Sequence, residues 1–304
     1  MPLTSIITVN YNQPAVTIDF LKSVKRFTNS DEVEVILVDN APAENRMTDF
    51  AAAYPGLIYI HSSKNLGYAG GNNLGIKNAK GYYLLLLNND TEITAGFLEA
   101  LVREMEQNPS IGLLSPLIKF HENKKLIQYA GFTEMNYITA RNGAIGDKET
   151  DTGQYSNDSR ETGFCHGAAV MCRRTDLDQA GMMDERYFLY YEELDWCEKF
   201  KRIGKKIWFT GKAVIYHKES ISVGKASPIK AFFMTRNRML YIRKNTNLTN
   251  TALFSAYYIF IATPKQLLIH VKNGRADLAA QTFKGIWWNL THSANSSSLG
   301  YYIP

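Results

Sequence analysis

Three acids crowd one short stretch of the 304-residue sequence: Glu192, Glu193 and Asp195 in DERYFLYYEELDWCEKF (184–200). Leu194, Cys197 and Phe200 can face inward from a helix that these acids open, and the helix dipole alone would stabilise negative charge there. A carboxylate crowded by other acids and flanked by Tyr190, Tyr191 and Trp196 also holds a proton more tightly than usual. A general base for a hydroxyl needs that property. A further acid, Asp90, ends the run YYLLLLNND. Four consecutive leucines want both faces covered, as in a parallel sheet between helices, and an acid just past such a strand stands where open α/β sheets hold ligands. Asn88-Asn89-Asp90 is equally turn and cap chemistry. As a ligand set it has the form of an Asp-x-Asp motif whose first acid is Asn. One carboxylate plus substrate phosphate oxygens is a normal way to hold Mg²⁺ or Mn²⁺.

Other polar features fall at the same kind of position. The first strand ends in TVNYN, bringing Thr8, Asn10, Tyr11 and Asn12 to its carboxyl edge. The second ends in Asp39-Asn40, where an acid can accept hydrogen bonds from a base or ribose. KNLGYAGGNNLG (64–75) is neither GxGxxG nor a P-loop, but it offers small residues and N–H groups at a helix start, suited to a diphosphate. His217 follows a strand in AVIYHKES, and His166 lies in GFCHGAAVM; a lone histidine at such a position is more often structural than a ligand.

The elements that must position these residues alternate. Strand patterns at LTSIITV (3–9), VEVILVD (33–39), LIYIHS (57–62), YYLLLLN and IGLLSPLI are separated by helical patterns: Val16 to Phe27, 41–54, one starting at GGNNLGIKNA, and 94–107. That alternation predicts βαβ units and a parallel sheet. Residues 119–161 turn polar and Gly-rich, with short β-like pieces near LIQYAGF and an acidic tract that reads as a surface loop. Order resumes at GAAVMCRR and continues to about residue 217.

The composition is that of a folded globular chain, and the net charge of +5 is too modest and mixed to argue for nucleic acid. It fits an anionic ligand or an anionic membrane surface. Three cysteines without a CxxC pair favour a reducing compartment and give no zinc spacing. MPLTSIITVNYN lacks a basic n-region and a long apolar h-region, so the expected location is cytoplasmic.

The last eighty residues differ. PIKAFFMTRNRMLYIRKN (228–245) predicts a helix mixing aromatic and basic residues. TALFSAYYIFIATPKQLLIHVKNG (251–274) is very apolar but broken at Pro264, Lys265 and Gln266. The uninterrupted run, 252–262, falls short of the roughly 20 residues a bilayer span needs. The expectation is a helical region lying at a membrane interface, with core cover or a homodimer contact as the alternative.

SIITVNYN, LVDN, NLGYAGGNNLGI, LLLLNND, DTGQY, GAAVMCRR, DERYFLYYEELDWCEK and YHKES, in that order, resemble the inverting family 2 glycosyltransferases of the GT-A fold, particularly bacterial rhamnosyltransferase-like members. The resemblance covers residues 3 to about 245. It implies an α/β catalytic domain over 1–224, with a nucleotide-sugar half (1–118) and an acceptor half (119–224), followed by the helical region 225–304. Thr8, Val9, Tyr11, Asn12 and Asp39 would cradle the nucleobase and ribose. Asn65, Gly67 and Asn73 would border ribose and diphosphate. Asp90, next to Asn89, would hold the Mg²⁺ or Mn²⁺ ion, with His217 completing the coordination. The family's Glu-Asp pair falls on Glu192-Glu193, with Glu193 the base and Glu192 and Asp195 in reserve. The acceptor side is assigned to His166, Gly167, Trp196 and Arg236.

The reaction so implied moves a sugar, rhamnose from dTDP-rhamnose, with inversion onto a growing lipid-linked glycan of a bacterial surface polysaccharide, at the inner face of the membrane. A UDP-hexose donor is the near alternative. A nucleotidylyltransferase is less favoured because NYNQPAV carries no Gly-rich basic phosphate loop. A non-catalytic glycan-binding protein would not need both Asp90 and Glu193.

Overall fold

The computed structural model describes residues 4–218 and 227–303. The boundary placed between 224 and 225, and the end of YHKES, lie outside them. The chain order is β1 (Thr4–Asn10), α1 (Pro14–Phe27), β2 (Val33–Asn40), α2 (Met47–Ala53), β3 (Ile58–Ser62), α3 (Gly67–Asn78), β4 (Tyr83–Leu87), β5 (Thr91–Ile93), α4 (Phe97–Gln107), β6 (Ile111–Phe120), β7 (Ile127–Tyr129), β8 (Ser159–Glu161), β9 (Ala169–Arg173), α5 (Arg174–Ala180), α6 (Glu192–Arg202), β10 (Lys206–His217), α7 (Pro228–Asn245), α8 (Leu248–Tyr257), α9 (Thr263–Lys272) and α10 (Ala276–Thr291). A 3₁₀ turn, Glu185–Tyr187, precedes α6, and a π-helical turn, Tyr258–Ala262, joins α8 to α9.

The strands form one sheet in the order β3-β2-β1-β4-β9-β6-β10-β5, with β7 beside β6 and β8 beside β10. The β1–β2, β2–β3, β1–β4 and β6–β10 pairs are parallel, whereas β9 runs antiparallel to both β4 and β6. The chain moves outward from β1 to β3, then returns to lay β4 on the other side of β1. That reversal opens a crevice at the carboxyl ends of β1 and β4, where open α/β sheets bind ligands. Every residue of β4 is buried, as its leucine run demands. Two apolar layers cover the sheet, one built on Phe20, Leu37 and Leu85, the other on Ile36, Leu86 and Trp196.

Several boundaries differ from the sequence expectation for local reasons. The second helix starts at Met47, not near residue 41, because Asn12 Oδ1 accepts the Ala43 N–H at 2.9 Å and Ala41 is left-handed (φ 51°). The 94–107 helix starts at Phe97 behind a left-handed Gly96. Residues 91–93, just before it, pair with β10 as an edge strand.

The largest correction concerns the C-terminal apolar segment. It is not broken at Pro264: α8, the π turn and α9 form one 25-residue helix, Leu248–Lys272, long and apolar enough to cross a membrane by length and composition. The Thr263 N–H reaches back five residues to the Tyr258 carbonyl, so the widened turn lies where Pro264, lacking an N–H, would otherwise leave a gap. Only 17% of its most apolar window is buried.

Candidate active site

A cavity of about 580 Å³ opens at the carboxyl edge of the sheet and is walled by β1, β4, α3, α6 and the start of α7. Its polar side is latched by asparagines. Asn10 Oδ1 accepts from Thr17 Oγ1 (2.9 Å), and Asn89 Nδ2 donates to the same hydroxyl (2.8 Å), which ties β1 to the turn after β4. Asn40 Oδ1 accepts the Leu66 N–H (2.8 Å) while its Nδ2 donates to Asn65 Oδ1 (3.1 Å), setting the turn into α3. Gly67 begins that helix with φ +68°, and a Cβ there would lie 2.2 Å from the Phe188 carbonyl oxygen. Only glycine fits this close approach.

Asp90 and His217 meet in this cavity. His217 Nε2 lies 3.2 Å from Asp90 Oδ1, and Nδ1 lies 2.9 Å from Gln128 Oε1. A carbonyl oxygen only accepts, so Nδ1 carries hydrogen, and a neutral ring turns its Nε2 lone pair toward the carboxylate. Asp90 Oδ1 is buried and has no hydrogen-bond partner. Two acceptors facing each other in a buried site call for a cation or a proton. One carboxylate oxygen and one imidazole nitrogen suit Mn²⁺ or Mg²⁺ when phosphate oxygens supply further ligands. Among the described residues, no group of three or more His, Cys, Asp or Glu side chains could hold a metal. These two therefore fit an ion shared with a ligand, not a closed protein cage.

Glu192 and Glu193 line the same cavity. Each has a buried Oε2 without a partner. Burial pushes the proton affinity of both carboxyls up, and the negative charge of Glu193 pushes Glu192 further. The loop that delivers them is strained: Phe188, Tyr190 and Tyr191 all have positive φ (63°, 70° and 73°). Asn237 on α7 holds it, donating from Nδ2 to the carbonyls of Tyr187, Leu189 and Tyr190, each at 2.8 Å. Tyr68 lies among these acids, its hydroxyl donating to the Gly167 carbonyl. Burial, then Glu192, Glu193 and Asp90, raise its pKa well above the usual phenol range. His166 accepts the Ala168 N–H at Nδ1 (3.1 Å), and burial, with the nearby His217, lowers its pKa to about 3.

Of the residues singled out from sequence, the structure brings Val9, Tyr11, Asn65, Gly67, Asn89, Asp90, His166, Gly167, Glu192, Glu193 and His217 to this cavity. The others hold the scaffold. Thr8 is fully buried in β1. Asn12 clasps Ala43. Asp39 accepts from Asn10 Nδ2 and the Tyr59 hydroxyl, each at 2.7 Å. Asn73 pins α3 to Met183 and Glu185. Asp195 does not line the cavity and is buried against Lys244 Nζ (3.0 Å), Asn245 Nδ2 (2.9 Å) and the Tyr187 hydroxyl (3.1 Å). Trp196 is buried and donates to the Gly181 carbonyl. Arg236, also buried, donates to the carbonyls of Arg186 and Ser298 and lies over the Trp288 ring; desolvation lowers its pKa to about 10. The sequence reading missed Asn40, Tyr68, Asn72, Gln128, Phe132, Phe188, Lys230 and Ile303 as wall residues. Asn40 and Tyr68 sit inside motifs already noted, whereas nothing in the polar stretch around Gln128 marked it.

The mixed sheet with a reversal beside β1 has the GT-A fold, and its crevice brings together a carboxylate–imidazole pair and two buried glutamates. The chain belongs to glycosyl transferase family 2, whose model matches residues 5–181. It is 27% identical over 206 residues to the low-salt glycan biosynthesis hexosyltransferase Agl10 of Haloferax volcanii, a match over 65% of this chain and 61% of that one. It is 23% identical over 241 residues to the N-acetylglucosaminyl-diphospho-decaprenol L-rhamnosyltransferase of Mycobacterium tuberculosis, covering 72% of this chain and 77% of the relative. The fold matches S. aureus TarS (TM-score 0.59, 15% identity, 95% of this chain and 80% of that one). It also matches the mannosyltransferase PcManGT of Pyrobaculum calidifontis in complex with GDP-Man and Mn²⁺ (TM-score 0.59, 14% identity, 95% and 88%). The chain is a glycosyltransferase.

Proposed function

We propose that this cavity transfers rhamnose from dTDP-rhamnose, with inversion, to a hydroxyl of a lipid-linked glycan used in a bacterial surface polysaccharide. The observation that carries the reading is the presence, in one cavity, of the Asp90–His217 pair and of two unpartnered glutamates with raised proton affinity. The rhamnose donor and the lipid-linked acceptor are supported by the likeness to the mycobacterial rhamnosyltransferase, whose acceptor is N-acetylglucosaminyl-diphospho-decaprenol.

Asp90 and His217 would hold a divalent ion, which when bound neutralises charge gathering on the departing diphosphate. Asn65 and the backbone at Gly67 border that end of the donor. Glu193 accepts the acceptor hydroxyl's proton as the oxygen bonds to C1; the C1–O bond to the diphosphate breaks and its electron pair leaves with the nucleoside diphosphate. Burial raises the basicity this step uses. Glu192, beside it, is raised further by the charge of Glu193. The exposed apolar faces of α8–α10 would rest on the cytoplasmic membrane surface, beside a lipid-linked acceptor.

The test is thermal stability with dTDP, UDP, GDP and ADP, each with and without Mn²⁺, on wild type and Asp90→Ala. A nucleotide near 100 times its Kd adds about 2.7 kcal/mol. A Mn²⁺-dependent shift with dTDP that the variant loses is expected. A shift with UDP alone would move the donor to a UDP-hexose, and no shift with any nucleotide would overturn the reading.

A further inference from the structure

One wall of the cavity has a second character. Phe188, Leu189, Ile229 and Ile303 make that wall apolar, and Lys230 is the one Lys or Arg side chain among the cavity's described lining residues. Lys230 Nζ lies 5.7 Å from the Tyr190 ring centroid and has no carboxylate partner among the described residues. A half-buried ammonium set in an apolar wall suits an anionic group attached to a hydrocarbon.

The wall continues into the exposed helices. Gly285 lies beside Phe232, and Asn289 donates to the Arg236 carbonyl, while Arg243 bonds Asn289 and the His292 carbonyl. Helix α10 therefore runs parallel to α7, and its first turns lie toward the end of α7 that bears Ile229 and Lys230. The long helix runs the other way: it leaves the C-terminal end of α7, and Tyr258 is already level with Arg238. From Tyr258 to Lys272 is roughly 21 Å of helix, against roughly 15 Å from Arg238 back to Pro228, at 1.5 Å per residue. The long helix is therefore long enough to span the distance back to the cavity end of α7. Along the way Phe260, Ile261, Leu268 and Phe283 are exposed.

We infer that Lys230 and the apolar wall of Leu189, Ile229 and Ile303 form a subsite for the diphosphate and first isoprenoid units of a polyprenyl-diphosphate acceptor, separate from the donor's diphosphate at Asp90. This rests on the glycosyltransferase reading and adds to it the place of the acceptor's anchor. The lipid would pass from that wall onto the exposed faces of α9 and α10, leaving the acceptor sugar facing Glu193.

Farnesyl diphosphate, inorganic pyrophosphate and the nucleoside diphosphate found in the thermal-shift test serve as probes, with binding measured by calorimetry in the presence of Mn²⁺. Farnesyl diphosphate is expected to bind wild type whether or not the nucleotide is present. Lys230→Gln should weaken it at least tenfold and change nucleotide affinity less than twofold. Ile229→Asn should weaken farnesyl diphosphate and not pyrophosphate. Farnesyl diphosphate that competes with the nucleotide, or a Lys230→Gln protein that loses nucleotide affinity equally, would assign Lys230 to the donor and overturn the inference. Binding that survives in Lys230→Gln would also overturn it, as adsorption to the helices. A wild type that binds no nucleotide fails the functional reading instead, so the two failures are distinguishable.

Discussion

His217 Nε2 stands 3.2 Å from Asp90 Oδ1, while Nδ1 of the same ring meets Gln128 Oε1 at 2.9 Å. β10 carries the histidine, the turn after β4 carries the acid and β7 carries the glutamine, so three distant segments fix one tautomer. The Lys218 N–H donates to the Asp90 carbonyl at 2.9 Å, which ties the two backbones together as well.

The arrangement predicts a graded loss of metal-dependent nucleotide binding. Asp90→Ala and His217→Ala should each remove the Mn²⁺-dependent part of the nucleotide thermal shift. Gln128→Ala, which frees the ring without removing a ligand, should weaken Mn²⁺ affinity about 10- to 100-fold, the usual cost of losing such an orienting partner. Mn²⁺ titration by electron paramagnetic resonance with nucleotide present reads all three. Equal Mn²⁺ affinity in wild type and His217→Ala would take His217 out of the metal site.

Glu192 and Glu193 separate chemistry from stability. Glu193→Gln should lower turnover by at least 1,000-fold while nucleotide binding survives, and wild-type-like turnover would remove it from the role of base. Because its proton affinity is raised, the acid limb of the wild-type rate should lie above the ordinary carboxylate range near 4.5.

For Glu192 the folded-state pKa lies above the unfolded value, so its contribution to stability is full below about pH 4.5 and is lost as pH rises through the raised value. Glu192→Gln, a neutral isostere, should therefore melt higher than wild type at pH 8 and equal to it at pH 4. Each 1 kcal/mol would read as roughly 2 °C for a chain of this size. A gap between the two that does not change with pH would show that burial of the Glu192 charge is not its cause.

Asp195 should behave in the opposite way to Glu193. Its carboxylate is 1% exposed and joins α6 to Lys244 and Asn245 at the end of α7. Removing one partner of a buried pair costs about 3–5 kcal/mol, and Lys244 keeps Asp184, so the lower end applies. Asp195→Ala should melt about 6 °C or more below wild type, yet keep turnover per folded molecule within tenfold. A stable but inactive variant would return Asp195 to the catalytic group.

Much of this was legible because period and position carry it. The leucine run of β4 and the alternation of strands and helices predict the sheet, and acids just past strand ends mark its working edge. Asp39 shows the limit: its place at a strand end is visible in the sequence, but its hydrogen bonds to Asn10 and Tyr59 are revealed only by tertiary structure. Asp195 and Arg236 show the same limit, since charge in a promising stretch does not tell which partner it meets. The break expected at Pro264 treated proline as a helix stop, whereas a widened turn accommodates it. Gln128 comes from a polar stretch with no periodicity at all.

The exposed apolar faces of the last helices make the final prediction. Phe260, Ile261 and Leu268 on the long helix and Phe283, Trp287 and Leu290 on α10 are each at least 57% exposed. Phe283 and Trp287 stack on one another, with ring centroids 6.5 Å apart. Lys265, Lys272 and Lys284 are exposed beside them, as an anionic lipid surface requires. Wild type should float with phosphatidylglycerol-containing liposomes, and less with neutral ones. The pair Phe260→Glu and Trp287→Glu places two charges on that face away from the cavity. It should cut flotation at least tenfold while leaving the nucleotide thermal shift unchanged. A wild type that stays at the bottom of the gradient as a dimer, and becomes monomeric in the double variant, would reassign these faces to a second copy of the chain.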